Sequence, residues 1–163
     1  MSAYITGPIQ SVSGGTLSAV DATADTSKLG KRVYGLDATG NSAEFIYLKG
    51  ATSTIVGSVV TFDEAGATAL IAANAKGPVA VSMGITDSST KGGWYGIQGT
   101  FPTDVVASCA DNANLGRETT DGKVGDGFAS GDLIANFYSR NSTTGAAVIN
   151  CQIDHGFVND TMG

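Results

Sequence analysis

From residue 32 onward the sequence is cut into short apolar runs, each stopped by Gly, Asn or Asp-Ser before it can reach helical length. The runs are Arg32-Val-Tyr-Gly-Leu-Asp, Glu44-Phe-Ile-Tyr-Leu-Lys, Ser58-Val-Val-Thr-Phe-Asp, Thr68-Ala-Leu-Ile-Ala, Pro78-Val-Ala-Val-Ser-Met and Trp94-Tyr-Gly-Ile-Gln. Strands of about six residues with turn signals every 8 to 12 residues predict an antiparallel β-sandwich or β-barrel, because a helix needs an uninterrupted periodic segment of about ten or more. Ala65 to Ala75 competes through its alanines, which favour helix. Gly66, Thr68 and Ile71 favour strand there, and Asn74 with Lys76-Gly77-Pro78 reads as a turn. The C-terminal third continues the pattern with Thr103 to Cys109, a glycine-rich loop from Asp121 to Gly131, Asp132 to Ser139, and Ala146 to Asp154. In the last run, alternation places Ala147, Ile149, Cys151 and Ile153 on one face. The expected fold class is all-β, a single domain over residues 31–163 preceded by an extended N-terminal arm over 1–30.

Glycine supplies the punctuation: 23 of 163 residues, about twice average usage. With 42% apolar residues and only 3 prolines, the chain is neither disordered nor collagen-like. At this length it can bury a core without a disulfide or metal. Fifteen acidic against nine basic side chains give a net charge of −6, which repels phosphate backbones and anionic lipid. Nucleic acid and membrane partners are therefore not expected. The Met1-Ser-Ala-Tyr-Ile start lacks the features of a secretory signal, and the longest uncharged stretches fall short of the roughly 20 apolar residues of a membrane span. Synthesis in the cytoplasm without cleaved export is expected. Cys109 and Cys151 read as buried thiols, with a disulfide formed after release from the cell as the alternative.

The chemistry of an enzyme is hard to assemble. The single histidine, His155, adjoins Asp154, but neighbours on a strand point to opposite faces, so Asp154 is not expected to orient the ring as a triad acid does. Cys151 and His155 have a spacing that converges on a helix, not a strand, which argues against zinc. Asp121, Asp126 and Asp132 imitate the frame of a calcium loop, but Lys123 and Gly125 stand where ligands belong, and Asp126 stands where glycine is required. Gly30-Lys31 lacks the rest of a phosphate loop. Lys28, Lys31 and Arg32 read as a solvated turn. No catalytic residue, metal or cofactor is expected.

Two features point to partners instead. Residues 1–20 carry no charge and are broken by Gly7-Pro8 and Gly14-Gly15, so the arm should pair as an edge strand or lie on another protein, with Tyr4, Ile5, Ile9 and Leu17 as apolar anchors. Gly92-Gly93 precede Trp94 and Tyr95, the densest aromatic site. On a strand one ring should face in and the other out, where it could anchor a contact or stack on a sugar.

The stretches Glu44 to Gly66, Asn74-Ala-Lys-Gly-Pro-Val-Ala-Val-Ser-Met and Gly93-Trp-Tyr-Gly-Ile-Gln-Gly resemble head decoration, or capsid cement, proteins of tailed bacteriophages. The likeness covers roughly residues 40 to 160, and its motifs are structural phrases, not catalytic signatures. It implies a compact β-sandwich or barrel on the outer surface of a virion, bound to the major capsid protein and to itself, often as a homotrimer. A virion carbohydrate-binding or host-adhesion module is the alternative expectation.

Overall fold

The computed structural model describes residues 17–129 and 132–159. It is all-β: the described residues contain no helix, and the strands are β1 (Val20–Asp21), β2 (Arg32–Leu36), β3 (Ser42–Lys49), β4 (Val59–Phe62), β5 (Thr68–Leu70), β6 (Gly77–Ser82), β7 (Gly92–Val105), β8 (Asn114–Arg117), β9 (Val124–Gly125), β10 (Leu133–Ser139) and β11 (Ala147–Val158). Ala65 to Ala75 contributes β5 and loop.

The organising element is β7, fourteen residues long. The spacing predicts two strands here, but the chain runs through both. Gly99 takes a φ of 130°, which a side chain rarely adopts, and the register against β3 slips between Glu44 and Phe45 nearby. The strand therefore bends without breaking. Its first half pairs with β3 on one edge and with β1 and β6 on the other. Its second half pairs with β11 from Gln98 to Val105.

Two circuits of strands share β7. One passes through β11, β10, β8 and β9, returning through the parallel pair Val105 and Val124. The other passes through β3, β7, β6, β4 and β5, where the Gly66 carbonyl accepts the Lys49 N–H at 2.8 Å and Thr68 Oγ1 donates to the Lys49 carbonyl at 2.9 Å. The sheet is thereby curled into a barrel-like form, mostly antiparallel.

Because the sheet curls, both of its faces are covered. Phe45, Tyr47 and Trp94 enter a large apolar cluster with Phe101, Phe137, Cys151 and Ile153. Ile46, Leu48, Tyr95 and Ile97 enter a smaller one with Val60 and Ala80. The described part of the arm joins this structure. Leu17 is buried in the large cluster, Val20 and Asp21 pair with Gly93 and Gly92, and the Tyr47 hydroxyl donates to Asp21 at 2.5 Å while accepting the Asp25 N–H at 3.2 Å. Lys28 is not the solvated turn residue expected: it pairs with Asp21 and Asp25 and lies over the Tyr47 ring.

Both cysteines are buried free thiols. Burial pushes the Cys151 thiol up to about 12, and burial followed by the hydrogen bond to Asp21 pushes the Tyr47 phenol up to about 12. Each is an acid that the unfolded chain ionises first. Their contribution to stability is therefore complete below about pH 9 and is lost as the pH climbs toward 12. The urea midpoint should fall over that range, and the Tyr47→Phe, Cys151→Ala double variant should show a shallower fall when titrated alongside the parent.

Candidate interaction surface

The sequence-predicted contact residues that the structure describes do not form a surface. Tyr4, Ile5 and Ile9 lie outside the described residues. Leu17, Trp94 and Tyr95 are all buried, a correction to their expected roles. Trp94 and Tyr95 do point to opposite faces, as alternation requires, but each face is roofed by the curled sheet. Trp94 meets the Tyr47 ring edge-on at 5.3 Å, and the Tyr95 hydroxyl is held by Thr86 Oγ1 at 2.6 Å. Neither ring offers a stacking platform.

His155 also departs from expectation. It adopts a φ of 49°, and this left-handed turn brings Asp154 Oδ1 to 3.0 Å from His155 Nδ1 although the two residues are adjacent. His155 Nε2 lies 3.0 Å from Glu44 Oε2, and Arg32 pairs with the other Glu44 oxygen at 3.3 Å. Both ring nitrogens are thus taken by carboxylates, leaving neither to activate a hydroxyl or thiol. The group braces β2, β3 and β11. The acidic loop residues are similarly engaged: Asp126 accepts the Ala110 N–H at 2.8 Å, and Asp132 pairs with Arg117. Among the described residues no cluster of His, Cys, Asp and Glu is placed to hold a metal ion.

The turn at His155 has a second effect. It shifts the alternation of β11 by one residue, so Gly156 and Val158 face inward and Phe157 faces solvent at 48% exposure. Phe157 pairs with Pro78 of β6 and with Ala135 of β10, and Leu133, two residues from Ala135, shares that face at 44% exposure. Phe62 continues the row on β4, one position beyond the Thr61 and Val79 pair. An apolar row therefore crosses four adjacent strands.

At the Leu133 end the row meets a cleft. Leu133 pairs with Gly116, and a Cβ on Gly116 would stand 2.2 Å from the Phe128 ring, so the missing side chain lets Phe128 lie on the strand beside Leu133. Gly125, opposite Gly116, likewise admits Glu118 Oε1, which is buried without a hydrogen-bond partner. Phe128, Glu118, Arg117, Asp132 and Asn74 line a cleft of about 350 Å³. Burial, then the charges of Asp126 and Asp132, hold the Glu118 carboxyl above the usual carboxylate range.

A separate apolar group, Ile55, Val56 and Ile85, sits on two loops joined by the Gly57 N–H to Ser82 carbonyl and Ala51 N–H to Thr86 carbonyl bonds. Ser18 and Val20 lie against Gly84 next to it.

Sequence reasoning missed the row because it ended the last strand at Asp154. The signal was the alternation of Phe157 and Val158 beyond the histidine, out of phase with the preceding run. Comparison with known proteins returns no matching family model, no matching curated protein and no matching solved structure.

Proposed function

We propose that this chain is a structural virion protein that decorates the outside of an icosahedral phage shell, binding the major capsid protein and its own copies, as a homotrimer, by protein–protein contacts. The observation that carries this reading is the apolar row of exposed Leu133, Ala135 and Phe157 with half-buried Pro78 beside them. Large exposed apolar side chains in one contiguous strip are what a protein interface buries. The resemblance of residues 40 to 160 to decoration proteins supplies the kind of partner. The uncharged arm, with Tyr4, Ile5 and Ile9, would add to a neighbouring strand edge, and repetition over the shell would multiply modest single contacts.

Burying one Leu or Phe side chain is worth about 1.5–3 kcal/mol. The Leu133→Lys, Phe157→Glu variant should therefore bind purified undecorated shells at least about 100-fold more weakly in a sedimentation assay, with its melting midpoint within a few degrees of the parent. Undiminished binding would reject the row as the contact. A parallel chain without residues 1–16 measures the share of the arm.

A further inference from the structure

The two cysteines, far apart in sequence, are brought into one neighbourhood by Ser139 of β10. Cys151 of β11 is the direct partner of Ser139, so their side chains leave the sheet on the same face with Cβ atoms about 4.5–5.5 Å apart. The Ser139 hydroxyl donates to the Ala110 carbonyl at 2.6 Å, and the Cys109 thiol donates to that same carbonyl at 3.7 Å. Cys109 thus sits over the Ser139 and Cys151 pair, and both thiols belong to one apolar cluster. Proximity is also felt electrostatically, because a charge on Cys109 disfavours ionisation of Cys151. Their surroundings differ in one respect: Cys151 lies within β11, whereas Cys109 lies on the loop between β7 and β8.

We propose that Cys109 and Cys151 are a dithiol–disulfide pair that closes on meeting a low-molecular-weight disulfide such as oxidised glutathione, fastening the β7–β8 loop to β11. This goes beyond the decoration role and does not depend on it. The Cys109 thiolate attacks one sulfur of the small disulfide, forming a mixed disulfide and releasing one small thiolate. Cys151 then loses its proton to solvent and attacks Cys109 Sγ, forming the internal bond and expelling the second small thiolate. Two protein thiols are oxidised and one small disulfide is reduced to two thiols. Cys109 acts first because its loop can part from β10, while Cys151 is held inside a paired strand. Both thiols are buried, so closure is slow and follows loop opening.

The bond would close a chain loop of about 40 residues, a length at which cross-linking restricts the unfolded chain substantially. Its Thr143 N–H to Cys109 carbonyl bond, 2.8 Å, would carry the restraint on to the loop between β10 and β11.

The test equilibrates the full chain with mixtures of oxidised and reduced glutathione, folded and in concentrated urea, followed by acid quench, alkylation and mass measurement. The expected result is loss of both alkylation sites together, a mass lower by two hydrogens, and an effective thiol concentration at least about 100-fold higher folded than in urea. The melting midpoint of the oxidised chain should rise by roughly 10 °C. In Cys109→Ser, Cys151 of the folded chain should stay alkylatable. An effective concentration no higher than in urea, or oxidation that yields only glutathione adducts or linked dimers, would overturn the proposal.

Discussion

Replacing Phe101 by alanine is expected to lower the unfolding free energy by about 3–5 kcal/mol, the range for deleting a buried aromatic ring, and the melting midpoint by roughly 10 °C. The ring is fully buried, packs tilted against Phe45 at 5.3 Å, and lies directly on β7 over Gly96. A Cβ added at Gly96 would stand 2.4 Å from it. Gly96→Ala alone should therefore cost about 1–3 kcal/mol by overpacking. Combined with Phe101→Ala, the new methyl enters vacated space, and the double variant should be more stable than the sum of the singles by about 1 kcal/mol or more. Urea unfolding of all four proteins measures the coupling. Strict additivity would show that the ring does not rest on Gly96.

This contact illustrates what the sequence does and does not disclose. The short runs bounded by turn residues were legible because a strand's period and its stops are local, and β2, β3, β4, β6 and β10 fall within a few residues of the expected spans. β8 and β9 were not legible: Asn114-Leu-Gly-Arg and Val124-Gly carry no alternation, and they are strands only because distant partners complete their hydrogen bonds. Gly96 falls inside the expected Trp94 to Gln98 run and Gly99 reads as its stop. The first is a floor for Phe101 and the second a bend that keeps β7 continuous, and only the folded surroundings disclose these roles. Trp94 and Tyr95 were placed on the correct opposite faces, yet the return of β5 to Lys49, which helps to close over Tyr95, has no local signature. The candidate surface was the least legible part. A single left-handed residue, His155, inverts the pattern after it, and periodicity cannot announce a phase shift of one residue.

Arg117→Ala should be comparably damaging, for an electrostatic reason. The Arg117 side chain is 6% exposed, its Nε donates to Asp132 Oδ1 at 2.5 Å, and its Nη1 donates to the Ala75 carbonyl at 3.0 Å. It therefore ties the cleft wall, the loop before β6 and the start of β10 together. Removing it leaves the Ala75 carbonyl without this donor and Asp132 beside Glu118 in the cleft wall with the guanidinium gone. Breaking a buried ion pair by deleting one partner costs about 3–5 kcal/mol; Asp132 is 23% exposed and can recover some hydration, which favours the lower end. Arg117→Lys should restore only part of the loss, since an ammonium cannot reproduce the planar fork that serves the carboxylate and the carbonyl at once. The decisive comparison is Arg117→Met against the Arg117→Met, Asp132→Leu double variant. If the cost comes from the stranded carboxylate, the double variant is more stable than the single one, because no uncompensated charge remains. If guanidinium packing alone mattered, removing Asp132 would recover nothing, and chemical denaturation of the two chains at neutral pH separates these outcomes.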